Sequence, residues 1–168
     1  MVRCAFASPL GPMTLAATDK GLAGVWFDGQ KHMPDTSAWP EQADHPLLLQ
    51  TQAELAEYFA GRRKAFDLPL DLNQGTVFQQ QVWQALLQIP AGQTTAYGSL
   101  ATRMGRAAAV RAVGAAVGRN PISIVVPCHR VLGANGALTG YAGGLERKTA
   151  LLELEAAETS EAATTITP

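Results

Sequence analysis

Short apolar runs separated by turn-forming sequences occupy the start of the chain. The turn sequences are Pro9-Leu10-Gly11-Pro12 and Asp19-Lys20-Gly21, in which glycine and proline interrupt the apolar pattern. The pattern predicts a β-meander with strands over Val2–Ser8, Met13–Thr18 and Gly21–Phe27. Residues 28–44 are mostly polar and contain two prolines, which predicts a loop.

A helical pattern follows this loop, beginning at His45-Pro46. The positions predicted for its inner face are Leu48, Leu49, Gln52, Leu55 and Phe59, and Gly61 is a stop signal. Ala65–Leu72 then predicts another short strand. We therefore expect a small α+β unit over residues 1–75, closed by the loop Asn73-Gln74-Gly75, and we expect it to act as a scaffold.

A second unit begins with a helix. Thr76-Val77-Phe78-Gln79 has the spacing of a capping box, in which the threonine and glutamine side chains bond to backbone N–H groups. Phe78, Val82, Leu86 and Ile89 then share one face, which is typical of a core-facing helix. Pro90-Ala91-Gly92 ends this helix.

Two short helices separated by Gly105 come next, over Tyr97–Met104 and from about Ala107 to Val117, which is a helix-turn-helix pattern. On the second helix, Val110, Val113, Gly114 and Val117 are predicted to face the core, and Ala108, Arg111, Ala112 and Ala115 to face outward. Small outward side chains let a helix approach a groove closely. High helix propensity explains an alanine-rich helix equally well.

The apolar run Ile122–Val126 predicts a buried strand. Pro127 cannot donate to a sheet, so the strand should stop there and leave Cys128 in a turn. His129 is adjacent, and an imidazole can take the proton of a thiol and hold the reactive thiolate. The alternative is that Cys128 is a small core residue, because buried cysteine is common.

The formal net charge is only −1, but the charges are unevenly distributed. Between Thr94 and Leu145 there is no acidic residue, and the basic residues of this segment are Arg103, Arg106, Arg111, Arg119 and Arg130. A basic face beside an acidic half suits a polyanion such as a nucleic acid. A chance cluster of solvated arginines is the alternative.

The sequence also bears on compartment and cofactors. The segment from Met1 to Phe6 lacks the long apolar core of a signal peptide, no apolar stretch is long enough to span a bilayer, and Cys4 and Cys128 favour a reducing, cytoplasmic setting. The cysteines and histidines lack zinc-type spacing, so we predict no metal and no cofactor. Residues 158–168, rich in alanine and threonine, predict a disordered tail.

Pro127-Cys128-His129-Arg130 resembles the active-site motif of the O6-alkylguanine-DNA alkyltransferases. The resemblance extends in one register over residues 76–155. Its other matching segments are Phe78-Gln79, Val82-Trp83, Ile89-Pro90-Ala91-Gly92, Thr95-Ala96-Tyr97-Gly98, Arg111-Ala112-Val113-Gly114, Arg119-Asn120-Pro121, Gly136-Ala137, Gly140-Tyr141-Ala142-Gly143-Gly144-Leu145, Lys148 and Leu151-Leu152-Glu153-Leu154-Glu155. A four-residue motif is a modest signal, whereas this ordered set is a strong one.

The resemblance implies an α/β (α+β) fold. A small N-terminal ribonuclease H-like unit over residues 1–75 precedes a mostly helical unit over residues 76–157, which contains the helix-turn-helix. It also implies DNA repair by direct, stoichiometric transfer of an alkyl group from O6-alkylguanine to Cys128, with O4-alkylthymine as a further candidate substrate. Double-stranded DNA, bound through the minor groove by a monomer, is the implied partner.

The resemblance assigns a catalytic role to each of five residues. Cys128 is the alkyl acceptor, His129 takes the thiol proton through a water, and Glu155 orients His129. Asn120 ties the two halves of the site together. The Tyr97 hydroxyl donates to the purine, which must first be rotated out of the duplex.

The resemblance also implies contacts with DNA and with the base. Arg111 is the finger that fills the space left by the extruded base, and Tyr97, Ala112, Arg119 and Arg130 are the other implied DNA-binding residues. The residues implied for the base pocket are Val131, Tyr141, Ala142, Gly143 and Lys148. The carbonyls of Cys128 and Val131 would accept from the guanine amino group, and the Ala142 N–H would donate to O6. Many members of the family have serine where this chain has Ala142. Because the donor is the backbone N–H and not the side chain, this difference should matter little.

Three rival functions are weaker. A non-catalytic relative that only binds alkylated DNA would replace the cysteine, which is present here as Cys128. A cysteine hydrolase needs an oxyanion hole and a base across the site, and the other two histidines lie in the N-terminal half. A sequence-specific DNA-binding regulator would need more base-reading side chains than one outward arginine.

Overall fold

The structure is a computed structural model that describes the backbone of residues 1–166 and the side chains of residues 1–156. The predicted β-meander is confirmed, with β1 (Val2–Ser8), β2 (Gly11–Thr18) and β3 (Gly21–Phe27) forming an antiparallel sheet in that order. Every residue of β3 is buried, so the meander is part of the core.

Helix α1 (Pro46–Phe59) packs on this sheet. His45 is its N-cap, because the ring Nδ1 accepts a 3.2 Å hydrogen bond from the Leu47 N–H. The helix is confirmed, but its inner face differs from the prediction. Leu49 is 49% exposed, and the buried positions include Thr51, Glu54 and Tyr58, which were not predicted.

The strand predicted over Ala65–Leu72 is wrong. Only Leu70 forms an isolated bridge, parallel to Leu22. The Leu22 N–H donates to the Pro69 carbonyl at 2.8 Å, and the Asp71 N–H donates to the Leu22 carbonyl at 2.8 Å. Pro69 has no N–H of its own, so the ladder does not extend along the segment.

The helices predicted after residue 75 are confirmed. Helix α2 (Val77–Leu86) starts with the complete capping box of Thr76 and Gln79. After β4 (Thr95–Ala96), α3 (Tyr97–Arg103) is followed by Gly105 in a left-handed conformation, with φ 70°. A 3-10 turn then leads into α4 (Val110–Gly118), which completes the helix-turn-helix.

The faces of α4 are largely as predicted. Val113 and Val117 are buried, and Arg111 and Ala112 are exposed. Val110 is an exception, since it is 36% exposed at the first position of the helix. The 3-10 geometry of the preceding turn changes the rotation between successive residues, so the predicted periodicity does not carry through to Val110.

The strand predicted over Ile122–Val126 is also wrong. The segment is buried, but it folds into a turn in which Ile124 has φ 72°. Only Ile122 forms a bridge, parallel to Val25. This bridge joins the meander to the second unit, since the Val25 N–H donates to the Pro121 carbonyl at 2.9 Å and the Ser123 N–H to the Val25 carbonyl at 3.0 Å.

The remaining elements complete an α/β fold, which confirms the predicted fold class. Strand β5 (Val131–Leu132) pairs in parallel with β4 in a second, separate sheet. The buried side chains of both units form one core, which includes Leu15 and Phe27 from the meander and Val82 and Val113 from α2 and α4.

Helix α5 (Leu145–Ile166) ends the described part of the chain. Its backbone is helical through Ile166 and so overlaps the tail predicted over residues 158–168, whose disorder stays a prediction; residues 167 and 168 lie outside the described part. The alanines and glutamates of this stretch favour continuation of a helix that has already begun. Within residues 1–166, no helix combines the length and apolar character needed to cross a membrane.

Candidate active site

Cys128 begins a 3-10 turn, Cys128–Arg130, directly after the buried turn of residues 122–126. Its side chain is only 7% exposed. Burial raises the pKa of the thiol, while a hydrogen bond with Asn120 and the positive charge of Lys148 act in the opposite direction. The resting residue is therefore a neutral thiol, which needs a base before it can act as a nucleophile.

His129 is fully buried beside Glu155, with 2.7 Å between Nε2 and Oε2. An ionised carboxylate only accepts hydrogen bonds, so Nε2 carries the proton and Nδ1 keeps a free lone pair. Among the described residues, Nδ1 has no hydrogen-bond partner. Burial lowers the pKa of His129, against the effect of Glu155, so the ring is neutral near pH 7 and can act as a base.

Glu155 is ionised although it is 1% exposed. Burial alone would raise its pKa, but hydrogen bonds from His129 and Arg130, and the charges of both, lower the pKa to about 2. The ionised carboxylate fixes both the tautomer and the orientation of the His129 ring, which is the base–carboxylate half of a nucleophile–base–carboxylate triad.

Arg130 does not lie where a DNA-binding residue should. Its Nε and Nη2 donate to the two oxygens of Glu155 at 2.8 and 2.9 Å, and Nη1 donates to the Ile89 carbonyl at 2.6 Å. The residue is 5% exposed. The prediction of a DNA contact is therefore wrong for Arg130, because its guanidinium is buried and bonded within the protein.

Asn120 shapes the turn that precedes Cys128. Its Nδ2 donates to the Val126 carbonyl at 2.7 Å and to the Ile122 carbonyl at 3.4 Å. Its Oδ1 accepts from the Ile122 N–H at 2.9 Å. One buried amide thus holds both ends of the turn, which agrees with the expectation that Asn120 ties the site together.

A cavity of about 220 Å³ opens beside the thiol. Of the predicted residues it is lined by Cys128, Asn120, Tyr97, Tyr141 and Ala142. Tyr97 is half-buried at the start of α3, and burial raises the pKa of its phenol, which keeps the hydroxyl protonated. Among the described residues, the Ala142 N–H has no acceptor and remains available.

Three predicted pocket residues do not line the cavity, namely Val131, Gly143 and Lys148. Gly143 supports the pocket loop from behind, because a Cβ there would lie 2.8 Å from Cε2 of Tyr141 and 3.0 Å from Cδ2 of Phe27. Only glycine lets these two rings approach the backbone so closely.

Lys148 is buried with its ammonium among backbone carbonyls. It donates to Val131 and Thr139 at 2.7 Å each and to Gly140 at 3.3 Å. It therefore joins the segment after Cys128 to the pocket loop. The Val131 carbonyl is thus already an acceptor within the protein.

The structure adds two residues from the N-terminal unit to the cavity wall, Lys31 and His32. Both are exposed, and the Lys31 N–H donates to the Ala142 carbonyl at 3.0 Å. His32 belongs to the N-terminal half of the chain, yet it lines this cavity together with Cys128. A polar loop carries no periodicity, so the sequence held no signal for this contact.

The exposed face of α4 lies next to the cavity, since Gly114 and Val117 of α4 line it. Arg111 and Ala112 are exposed on this helix, and Arg119 is exposed at its C-cap. These positions suit contacts with an external partner, so their DNA-binding roles stay predictions.

Comparison with known proteins places both halves of the chain in one family. Residues 1–72 match the family model described as "6-O-methylguanine DNA methyltransferase, ribonuclease-like domain", and residues 77–157 match "6-O-methylguanine DNA methyltransferase, DNA binding domain". A methylated-DNA–protein-cysteine methyltransferase of Mycobacterium bovis is 50% identical over 148 residues, which is 88% of each chain.

Two further comparisons agree. The protein of the same name from Methanosarcina acetivorans is 48% identical over 151 residues, covering 89% of this chain and 95% of the relative. The protein in the crystal structure of Mycobacterium tuberculosis OGT in complex with DNA is 46% identical in sequence to this chain. The two structures superpose with a TM-score of 0.87, and the match covers 94% of each chain.

Proposed function

This chain belongs to the 6-O-methylguanine DNA methyltransferase family, and we propose that it repairs DNA by transferring an alkyl group from O6 of guanine to Cys128. The observation that carries the proposal is the buried thiol of Cys128, placed on a cavity and followed by His129, whose neutral ring is oriented by Glu155 at 2.7 Å. Thiolate is the side-chain nucleophile best suited to attack a saturated carbon.

The transfer begins with removal of the thiol proton. Nδ1 of His129 takes the proton through a bridging solvent molecule, and Glu155 stabilises the resulting imidazolium. The Cys128 sulfur then forms a bond to the alkyl carbon while the bond from that carbon to O6 breaks. The electron pair of the broken bond goes to the guanine, and the thioether product stays on the protein.

The leaving guanine carries the developing charge, so a proton donor lowers the barrier. Tyr97 lines the cavity and keeps its proton, and its hydroxyl donates to the purine. The Ala142 N–H, on the cavity wall, donates to O6. Solvent returns a proton to Tyr97 and takes one from His129, which completes the balance.

The cavity is too small for a base pair, so the target nucleotide enters it rotated out of the duplex. Arg111 fills the space that the base leaves, and the small neighbour Ala112 lets α4 approach the minor groove. Lys31 and His32 line the cavity and Arg119 is exposed at the C-cap of α4, and these three groups contact the phosphates beside the extruded nucleotide. O4-alkylthymine, if extruded, meets the same thiol.

A monomer suffices for the whole reaction. One chain supplies Cys128, His129, Glu155, Asn120 and Tyr97 to a single site. Because nothing in the site is placed to hydrolyse a thioether, each molecule reacts once.

The test is intact-mass measurement after mixing the protein with duplex DNA that carries one O6-methylguanine. We expect a gain of one methyl group per protein molecule, which peptide mapping should place on Cys128. Cys4 is the internal control, since burial raises the pKa of its thiol and its Sγ accepts a 3.3 Å hydrogen bond from Gln52. Methyl on Cys4, or repeated turnover, would contradict the mechanism.

A Cys128→Ser variant separates binding from transfer. Serine keeps the size of the side chain, so affinity for the modified duplex should stay near that of the wild type. Its hydroxyl is far less acidic than a thiol and His129 cannot ionise it, so no methyl should appear on the variant. Loss of DNA binding together with transfer would mean that the variant is misfolded or that Cys128 has another role.

A further inference from the structure

The N-terminal unit reaches the catalytic carboxylate through one side chain. The Tyr58 hydroxyl on α1 donates to Oε2 of Glu155 at 2.5 Å. Both residues are buried, with Tyr58 at 0% and Glu155 at 1% exposure. Because the sequence of this unit predicted only a scaffold, this contact adds an element to the site.

The hydroxyl is held in a fixed position. The Tyr58 ring packs against Phe59, edge to face with 5.4 Å between centroids, and against Phe66 at 5.5 Å. Two rings at such distances restrict the ring of a buried tyrosine. Burial and the neighbouring Glu155 raise the pKa of Tyr58 far above its ordinary value, so the hydroxyl keeps its proton and acts as a donor.

We propose that Tyr58 is a positioning residue of the alkyl-transfer site, holding the Glu155 carboxylate in the orientation that His129 requires. Among the described residues, the donors to Oε2 of Glu155 include His129 at 2.7 Å, Tyr58 at 2.5 Å and Arg130 at 2.9 Å. Arg130 and His129 belong to the same short turn, whereas Tyr58 approaches Oε2 from a different unit. The inference rests on the proposed alkyl transfer.

Removing this hydroxyl has a defined electrostatic consequence. The hydrogen bond from Tyr58 uses part of the capacity of Oε2 to accept hydrogen bonds. Without that bond, the carboxylate accepts a stronger hydrogen bond from the His129 ring, which favours the protonated form of the ring. The ionisable groups that act on His129 are Glu155, Arg130 and Lys148, and those that act on Tyr58 are Glu155, Arg130 and Tyr141. The substitution Tyr58→Phe alters none of these other groups. It should therefore raise the pKa of His129.

The experiment compares Tyr58→Phe with the wild type and with Phe66→Leu. The control removes ring packing around Tyr58 but leaves its hydroxyl bond to Glu155 in place. The rate constant of methyl transfer to Cys128 is measured from about pH 5 to about pH 8, and His129 is titrated by NMR over the same range. Thermal unfolding of all three proteins reports how far each substitution affects stability.

For Tyr58→Phe we expect the acidic limb of the rate profile to move to higher pH and the plateau rate to fall roughly tenfold. Phe66→Leu should lower the melting temperature without moving the acidic limb of its rate profile. If Tyr58 had a purely structural role, Tyr58→Phe would give that same result. An unchanged limb and an unchanged His129 titration in Tyr58→Phe would overturn the proposal.

The two proposals fail in different ways. If the wild type acquires no methyl group from modified DNA, the proposed function is wrong. The NMR titration of His129 still reports on Tyr58 in that case, because it needs no transfer. If the wild type transfers normally while Tyr58→Phe matches it in profile and titration, only the role of Tyr58 is wrong.

Discussion

The Asn120 side chain holds the Val126 carbonyl at 2.7 Å, two residues before the reactive Cys128. The same amide group bonds to both the N–H and the carbonyl of Ile122. All three residues are buried. The position of the nucleophile therefore depends on a polar side chain at the end of α4 and not on a strand.

Replacing Asn120 with alanine should loosen this turn. The substitution leaves buried backbone groups of Ile122 and Val126 without their side-chain partner, and such losses cost about 1–3 kcal/mol each. We expect the free energy of unfolding to fall by about 3 kcal/mol and methyl transfer to slow. Urea unfolding and the transfer rate check this, with Gln81→Ala, an exposed position on α2, as the control. Transfer at the wild-type rate in Asn120→Ala would contradict it.

Arg111→Ala should weaken repair of duplex DNA more than reaction with a free O6-alkylguanine analogue. The exposed side chain is assigned only to replace the extruded base, and a free analogue is already unstacked. We expect the rate on duplex to drop roughly tenfold and the rate on the analogue to stay unchanged. Equal losses on both substrates, measured by single-turnover kinetics, would give Arg111 another role.

Lys31→Ala should reduce the salt dependence of DNA binding. Each phosphate that the protein neutralises adds about 0.9 to the slope of log affinity against log salt on duplex DNA. The Lys31 side chain is exposed at the cavity mouth. Its loss should lower the slope by about 0.9. Lys20→Ala, in the exposed turn between β2 and β3, is the matched control and should leave the slope unchanged.

The rate of methyl transfer should fall on the acidic side of neutrality. His129 acts as a base only when neutral, and its pKa lies below the ordinary value of 6.5 because the ring is buried. Transfer should therefore be constant at higher pH and decline as the pH falls through the pKa of the folded protein. Single-turnover kinetics across this range test the prediction. A decline whose midpoint lies above pH 6.5 would mean that the pKa of His129 is not lowered by burial.

Folding stability should also decline in acid. The pKa of Glu155 is about 2 in the folded protein, against an ordinary value of 4.5, so the unfolded chain binds the proton more readily. The stabilisation is fully present above pH 4.5 and is lost as the pH falls toward 2, and it amounts to roughly 3 kcal/mol. Unfolding of Glu155→Gln should depend less on pH in this window, and equal pH dependence in both proteins would contradict the assignment.

Local sequence determined the elements whose signals are short-range. The capping box at Thr76 and Gln79 uses side chains three residues apart, and the turn sequences after Ser8 and Thr18 divide the meander. Such signals act within one turn or one strand, so these elements can be predicted without knowing how distant parts of the chain fold. The motif around Cys128 likewise identified the nucleophile and its family.

The errors lie where distant residues decide the local conformation. Ile122–Val126 has the composition of a strand, but its contact with the distant strand β3 is a single bridge to Val25, and the nearby Asn120 side chain holds the segment in a turn. The positive charge of Arg130 suggested a contact with DNA. In the folded protein its guanidinium instead binds the carboxylate of Glu155, which lies 25 residues further along the chain, and is buried there. Apolar composition predicts that a segment is buried, and positive charge predicts that a side chain binds an anion. Neither property determines which strand or which anionic group lies nearest in the folded protein.

The sequence by itself therefore determined the order of the elements, the helix-turn-helix and the chemical identity of the nucleophile, because these follow from residue type and short spacing. Only the tertiary structure decided that Tyr58 and Lys31 belong to the site. Both come from an N-terminal unit whose sequence carries no chemical motif. They reach Glu155 and Ala142 through packing of the two units, and such contacts depend on the folded arrangement of segments far apart in the chain.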